Sequence, residues 1–218
     1  MTIFERMLDA VDDTMSKYME HPFVKGIEDG TLSKERFKHY MIQDYLYLRE
    51  YTKAFGIGIA KASDINVRKI FSSYVNMLTE YEMNVHSEYF DEFGITAEEL
   101  DKTPISLAAL SYSSYILRLA YEEGQAEILA AVIFCAYSYE AIAKNILKRS
   151  PNSVDNAYGQ WIKSYVSDTY SNENAALFNA VEKLVEGYTE KQKQHIVDIL
   201  VICAKYELEF WNMAWNMQ

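Results

Sequence analysis

Apolar residues recur along this chain every three to four positions, and strict alternation is absent. That period belongs to helices with one buried face. The first follows Thr2, where Glu5 completes a capping box, and its stripe reads Phe4, Met7, Leu8, Val11, Met15 and Met19. It is expected to end before His21-Pro22, since proline disfavours helix in the residue before it. A short connection from Lys25 to Gly30 leads to Ser33, a good N-cap, and to a long helix over Lys34 to Lys61. A third helix is predicted from Asp64 to Phe93, with Gly94 as its C-terminal stop. Thr96 and Glu99 cap a short helix that stops before Pro104. Helices over Ser106 to Glu122 and Gln125 to Arg149 follow, and the second of these is apolar enough to sit at the centre. Val154 to Tyr170 and Asn174 to Glu186 read as amphipathic helices, and Thr189 with Gln192 opens a last one that runs nearly to Gln218. No repeat or linker interrupts the pattern. The expected fold is all-α, a single-domain helical bundle over residues 1–218.

A few polar residues stand where this pattern calls for apolar ones. Asp44 falls one turn after Tyr40 and one turn before Leu48. Glu207 lies on the stripe Ile196, Leu200, Cys203, Glu207, Phe210, Trp211. Cys135 sits on the central helix with Tyr139 one turn later, and Tyr47 follows Asp44 at i+3. Glu82 and His86 are four apart on the third helix and read most simply as an intrahelical pair. Taken singly, each has a bland explanation: a buried Cys packs as a small hydrophobe, and a buried carboxylate bridges helices. Taken together, they also describe a polar pocket, and the residues alone leave both readings open.

Composition narrows the field. Half of the 218 residues are hydrophobic, while Gly (8) and Pro (3) are scarce, which disfavours an all-β chain. The 18 tyrosines offer apolar rings with polar tips, suited to a flat heteroaromatic ligand or to ordinary packing. A net charge of −11, with the basic residues scattered, disfavours nucleic-acid binding and contact with an anionic membrane surface. The most apolar stretch, Ile128 to Ala136, is too short to cross a bilayer. Two cysteines and no signal-peptide pattern lead us to expect a cytoplasmic protein with reduced thiols. No phosphate-binding glycine loop, paired-cysteine metal spacing or Glu-x-x-His repeat is present.

An ordered set of motifs resembles the TenA/thiaminase II family. They are His21-Pro22-Phe23 and Asp29-Gly30-Thr31-Leu32, then Phe37 to Leu48 around Asp44 and Tyr47, then Glu82-Met83 with His86. Next come Ser111-Tyr112-Ser113, Cys135-Ala136-Tyr137-Ser138-Tyr139, Trp161 to Tyr165, and Tyr206-Glu207 with Phe210-Trp211. The resemblance covers almost the whole chain. It implies a haem-oxygenase-like bundle that assembles as a homotetramer and uses no cofactor and no metal. It further implies hydrolysis of 4-amino-5-aminomethyl-2-methylpyrimidine to the 5-hydroxymethyl pyrimidine and ammonia in thiamin salvage, with thiamin itself also cleaved to pyrimidine and thiazole.

Carried over position by position, the resemblance makes Cys135 the nucleophile and Glu207 the acid/base at a ring nitrogen. Tyr47 would hydrogen-bond the sulfur, and Asp44 would bind the exocyclic amine. Tyr112, Tyr139, Tyr165, Phe210 and His86 would complete the substrate pocket. The chain departs from the family at three places. Phe134 stands where proline is frequent, Tyr137 where tryptophan is, and Ala141 where a glutamate is common, with Glu140 a quarter-turn away. These bear on pocket shape and substrate choice. Rival expectations are a non-catalytic thiamin or pyrimidine binder, and a regulator of secreted-enzyme expression.

Overall fold

The computed structural model describes all of residues 1–218 as helices joined by short connections. Helix α1 (Ile3–Met19) carries the expected capping box: Thr2 Oγ1 accepts from Glu5 N at 3.1 Å, and Glu5 returns the bond to Thr2 N at 2.8 Å. Helix α3 (Lys34–Lys61) starts at Ser33. After α6 (Ala97–Lys102), α7 (Leu107–Glu122) starts at Ser106 and α8 (Gln125–Arg149) follows Gly124. The last helix, α11 (Glu190–Asn216), has a second capping box between Thr189 and Gln192. The α8 helix packs against α11, α7 and α3 and against the helices over Gly159–Tyr165 and Asp168–Leu184, and one apolar cluster runs through all of these elements. No strand is present.

Three predicted segments need correction. His21-Pro22 does end α1, but it also starts α2 (Pro22–Asp29), where a connection was expected. Pro22 sits at the first helical turn, where its missing N–H costs nothing, and His21 Nδ1 accepts from Phe23 N at 3.2 Å. Gly30, at φ 69°, supplies the left-handed stop. The helix predicted over Val154 to Tyr170 is instead a 3₁₀ turn (Pro151–Asp155) and α9 (Gly159–Tyr165), after which α10 (Asp168–Leu184) begins. The break falls at Ser167, whose side chain caps Tyr170 N at 3.3 Å. Asn174 is interior to α10, where its amide donates to Ala136 O at 3.0 Å and to Glu140 Oε2 at 2.7 Å. Glu140, in which the departure at Ala141 placed a displaced carboxylate, is therefore a tie between α8 and α10.

The third correction concerns α8 itself. By length and composition it is long enough and apolar enough to cross a membrane, contrary to the expectation drawn from Ile128 to Ala136. Its most apolar window is 89% buried inside the bundle, as befits a core helix.

The predicted helix from Asp64 to Phe93 is one rod with an interruption. Helix α4 (Ile65–Asn76) passes into a π-helical stretch (Met77–Glu82) and then into α5 (Met83–Phe93). Wider i→i+5 turns of this kind swell the helix locally and re-aim its side chains. This one ends at Glu82, beside the polar residues of α3 and α5.

Candidate active site

Asp44 and Tyr47 come from α3, Glu82 from the π stretch, His86 from α5 and Tyr112 from α7. Cys135 and Tyr139 come from α8, Trp161 and Tyr165 from α9, and Glu207 and Phe210 from α11. Helical spacing sets each pair on a shared face. Every one of these side chains is buried.

His86 links two elements. Its Nδ1 lies 2.9 Å from the Glu82 carbonyl, which can only accept, so Nδ1 carries a proton. Its Nε2 lies 3.0 Å from Asp44 Oδ2. Burial pushes the His86 pKa down, but the Asp44 hydrogen bond and charge, with the Glu82 contacts, carry it above its ordinary value. Both ring nitrogens are thus committed, which leaves none for a metal. The Glu82–His86 relationship is a side chain to backbone bond, so the expected pairing of the two side chains is corrected.

Around Cys135 the walls are aromatic. Tyr47 stacks on Tyr112 at 5.0 Å between centroids and lies 5.6 Å from Phe210. Tyr139 packs 4.9 Å from Tyr165, and Trp161 lies 4.8 Å from Tyr165. Cys135 keeps 8% exposure although Val132, Ile133 and Phe134 beside it on α8 have none. Burial raises its pKa well above that of an ordinary thiol, and the charges of Glu207, Glu82 and Asp44 add to the rise, opposed only by Tyr47. At neutral pH the resting residue is a thiol.

Glu207 is in a similar position. Burial, reinforced by Asp44, raises its pKa to about 8, with Tyr112 and Tyr139 pulling back. Glu207 Oε2 and the hydroxyls of Tyr112 and Tyr47 nonetheless close no hydrogen bond of normal geometry. Buried polar atoms are rarely left so, and these three keep capacity to bond a polar group.

A small pocket opens beside this cluster, lined by Met41, Asp44, Tyr81, Glu82, Val85, His86, Trp161, Ser164, Tyr165 and Tyr170. Of the residues expected at the site, Asp44, His86 and Tyr165 line it, while Cys135, Glu207, Tyr47, Tyr112, Tyr139 and Phe210 are not on its wall and form the adjoining aromatic cluster. Sequence reasoning missed Tyr40, Trp161 and Tyr170. Tyr40, one turn before Asp44, accepts from Trp161 Nε1 at 3.1 Å and so fixes the indole. The i, i+4 spacing of Trp161 to Tyr165 was a signal for Trp161; nothing in the sequence pointed to Tyr170.

The pattern of the TENA/THI-4/PQQC family matches residues 8–217. The chain belongs to this family. Among its relatives, an aminopyrimidine aminohydrolase of Helicobacter pylori is 37% identical over 199 residues, 91% of each chain. One of Bacillus subtilis is 33% identical over 91% of this chain and 83% of its own. The crystal structure of a TenA family transcription regulator from a Silicibacter species has a TM-score of 0.91 at 25% identity, covering 98% of this chain and 96% of that one. Haem oxygenase-1 of Synechocystis, in complex with haem, has a TM-score of 0.66 at 14% identity over 100% and 94% of the two chains, which establishes the haem-oxygenase-like bundle.

Proposed function

We propose that this TenA-family chain hydrolyses 4-amino-5-aminomethyl-2-methylpyrimidine to the 5-hydroxymethyl pyrimidine and ammonia, with thiamin as a second substrate. The observation that carries the reading is the Cys135 thiol buried among the Glu207, Asp44 and Glu82 carboxyls in an aromatic cluster. The aminopyrimidine aminohydrolases among its relatives point the same way.

In this reading Asp44, held by His86, binds the exocyclic amine, and the aromatic side chains grip the faces of the ring. A pyrimidine accepts a nucleophile only as a ring nitrogen takes a proton. Glu207, protonated near neutral pH, supplies that proton and in return accepts the proton of the Cys135 thiol as sulfur adds to the ring. Tyr47 faces the sulfur and favours the developing thiolate. The bond from the 5-methylene to its nitrogen then breaks, with the electron pair leaving on nitrogen. Water adds to the methylene, and the sulfur departs. The thiol is activated by bound substrate, since nothing in the empty site stabilises a thiolate beyond Tyr47.

The test is product formation from the aminomethyl pyrimidine and from thiamin by the wild type and by Cys135→Ser. Hydroxymethyl pyrimidine from the wild type alone supports the hydrolase, and the better substrate names its role. Binding without product by the wild type would instead favour a non-catalytic binder, a reading to which the high thiol pKa lends weight. The regulator reading draws on no basic surface, given the charge of −11. The proposal includes a homotetramer, for which Leu107 and Leu110 are exposed apolar candidates on α7, and a reducing compartment, which suits two unpaired thiols.

A further inference from the structure

The mechanism above gives Glu82 no task, yet the fold goes to some length over this residue. It closes the chain's single π-helical stretch, a distortion that recurs at functional sites. Its side chain is 7% exposed and lines the cavity, and no hydrogen bond reaches its carboxyl. Burial, with the Asp44 charge, raises its pKa to about 8, and His86 offsets only a little. No Lys or Arg lines the cavity, and the imidazole of His86 is committed to Asp44. A buried carboxylate without a partner is costly, and a cation bound in the pocket would offset that cost.

We infer that Glu82 recognises a cationic leaving group on the 5-methylene of the bound pyrimidine: an alkylammonium, or the thiazolium of thiamin. This rests on the reading of the pocket as an aminopyrimidine site. In such a substrate the 4-amine and the 5-methylene sit on neighbouring ring atoms. With the amine on Asp44, the 5-substituent lies beside it, and Glu82 lines the same pocket, near enough to feel the Asp44 charge. The rings of Trp161 and Tyr165, 4.8 Å apart and edge to face, also line the pocket, and aromatic rings attract a cation.

The consequences for the reaction balance. Glu82 meets the cation as a carboxylate, so binding releases the proton it carries in the empty pocket. When the carbon–nitrogen bond breaks, the electron pair goes to nitrogen, and the ammonium departs as neutral ammonia or the thiazolium as neutral thiazole. No further proton donor is needed on that side. The neutral hydroxymethyl product no longer answers the carboxylate, which favours its release.

Calorimetry on the full chain, in a Cys135→Ser background that blocks turnover, compares the aminomethyl and hydroxymethyl pyrimidines at pH 7 in two buffers of different ionisation enthalpy. The background protein should prefer the cationic ligand by about 10–100-fold, the range of a charge-assisted hydrogen bond. Adding Glu82→Gln should erase that preference and the proton release, while affinity for the neutral ligand stays within about twofold. A preference that survives Glu82→Gln overturns the inference, as does an equal loss for both ligands, which would mark a structural role. A background protein that binds neither ligand overturns the reading of the pocket itself, and the inference with it.

Discussion

Asp44 Oδ2 and His86 Nε2 lie 3.0 Å apart, fully inside the bundle, and the Glu82 carbonyl fixes the other ring nitrogen of His86 at 2.9 Å. The pair therefore holds one proton between an acid and a base. This makes Asp44 a fixed acceptor on the cavity wall, because its partner turns with neither solvent nor substrate. His86→Leu leaves a buried charge unpaired and should destabilise the fold by about 3–5 kcal/mol in denaturant melts. Asp44→Asn keeps a hydrogen bond to the neutral imidazole. It should fold with smaller loss while weakening pyrimidine binding by about 10-fold or more in titration.

Thiol chemistry offers a second test. Burial and three carboxyls hold Cys135 well above the ordinary thiol range. Alkylation by iodoacetamide at pH 7 should be at least about 10-fold slower than for an exposed cysteine, since the thiolate is the reactive form. Peptide mapping reads the site directly. Rapid labelling of Cys135 in the ligand-free protein would contradict activation by substrate.

The pH profile should follow Glu207. Its pKa of about 8 keeps it protonated at neutral pH, as the proton-donor role requires. Asp44 on α3, Tyr112 on α7, and Cys135 and Tyr139 on α8 face it; Asp44 adds repulsion as it ionises, while the Tyr112 and Tyr139 hydrogen bonds favour the charged form. Accordingly kcat/KM should fall as pH rises through about 8. Glu207→Gln should lower kcat by about 100-fold or more and remove that limb.

Stability carries the same signature with a defined sign. Glu82 and Glu207 have folded pKa values raised to about 8 from 4.5, so the folded state binds protons that the unfolded chain has lost. Their contribution is fully present below about pH 4.5 and is lost progressively up to about pH 8. Glu82→Gln should therefore gain in Tm over the wild type as pH rises across that window, by a few degrees at its upper end. Calorimetric scans at pH 5 and pH 8 decide it.

Gly159 tests the placement of α9. A Cβ there would meet the Val154 carbonyl oxygen at 2.0 Å, with backbone rather than a yielding side chain in the way. Gly159→Ala should cost about 1–3 kcal/mol and should lower substrate affinity, because Trp161 and Tyr165 ride on the same helix. A thermal melt and a binding titration read the two effects separately.

What the sequence made legible was local. Caps such as Thr2, Ser33 and Ser106 announce helix starts because their bonds span only three residues. Asp44, Cys135 and Glu207 stood out because an apolar stripe makes any polar residue conspicuous. What stayed hidden depended on partners distant in the chain or on more than one role for a residue. Pro22 both ends a helix and begins one. Asn174 resembles a cap, but its amide is taken by Ala136 and Glu140. The π stretch leaves no mark on a pattern averaged over 3.6 residues, so Glu82 read as half of an ordinary helical pair.

That stretch also sets how easily the site could be lost. A π turn holds one more residue than the α turn it replaces. Removing a single residue between Met77 and Glu82 would let α4 and α5 run on as one regular helix, with both flanks keeping their packing. The bundle would survive, and the turn that carries the pocket wall into Glu82 would be rebuilt. Two chains of the same architecture, one codon apart in length, would then differ in whether this pocket favours a positive charge at all.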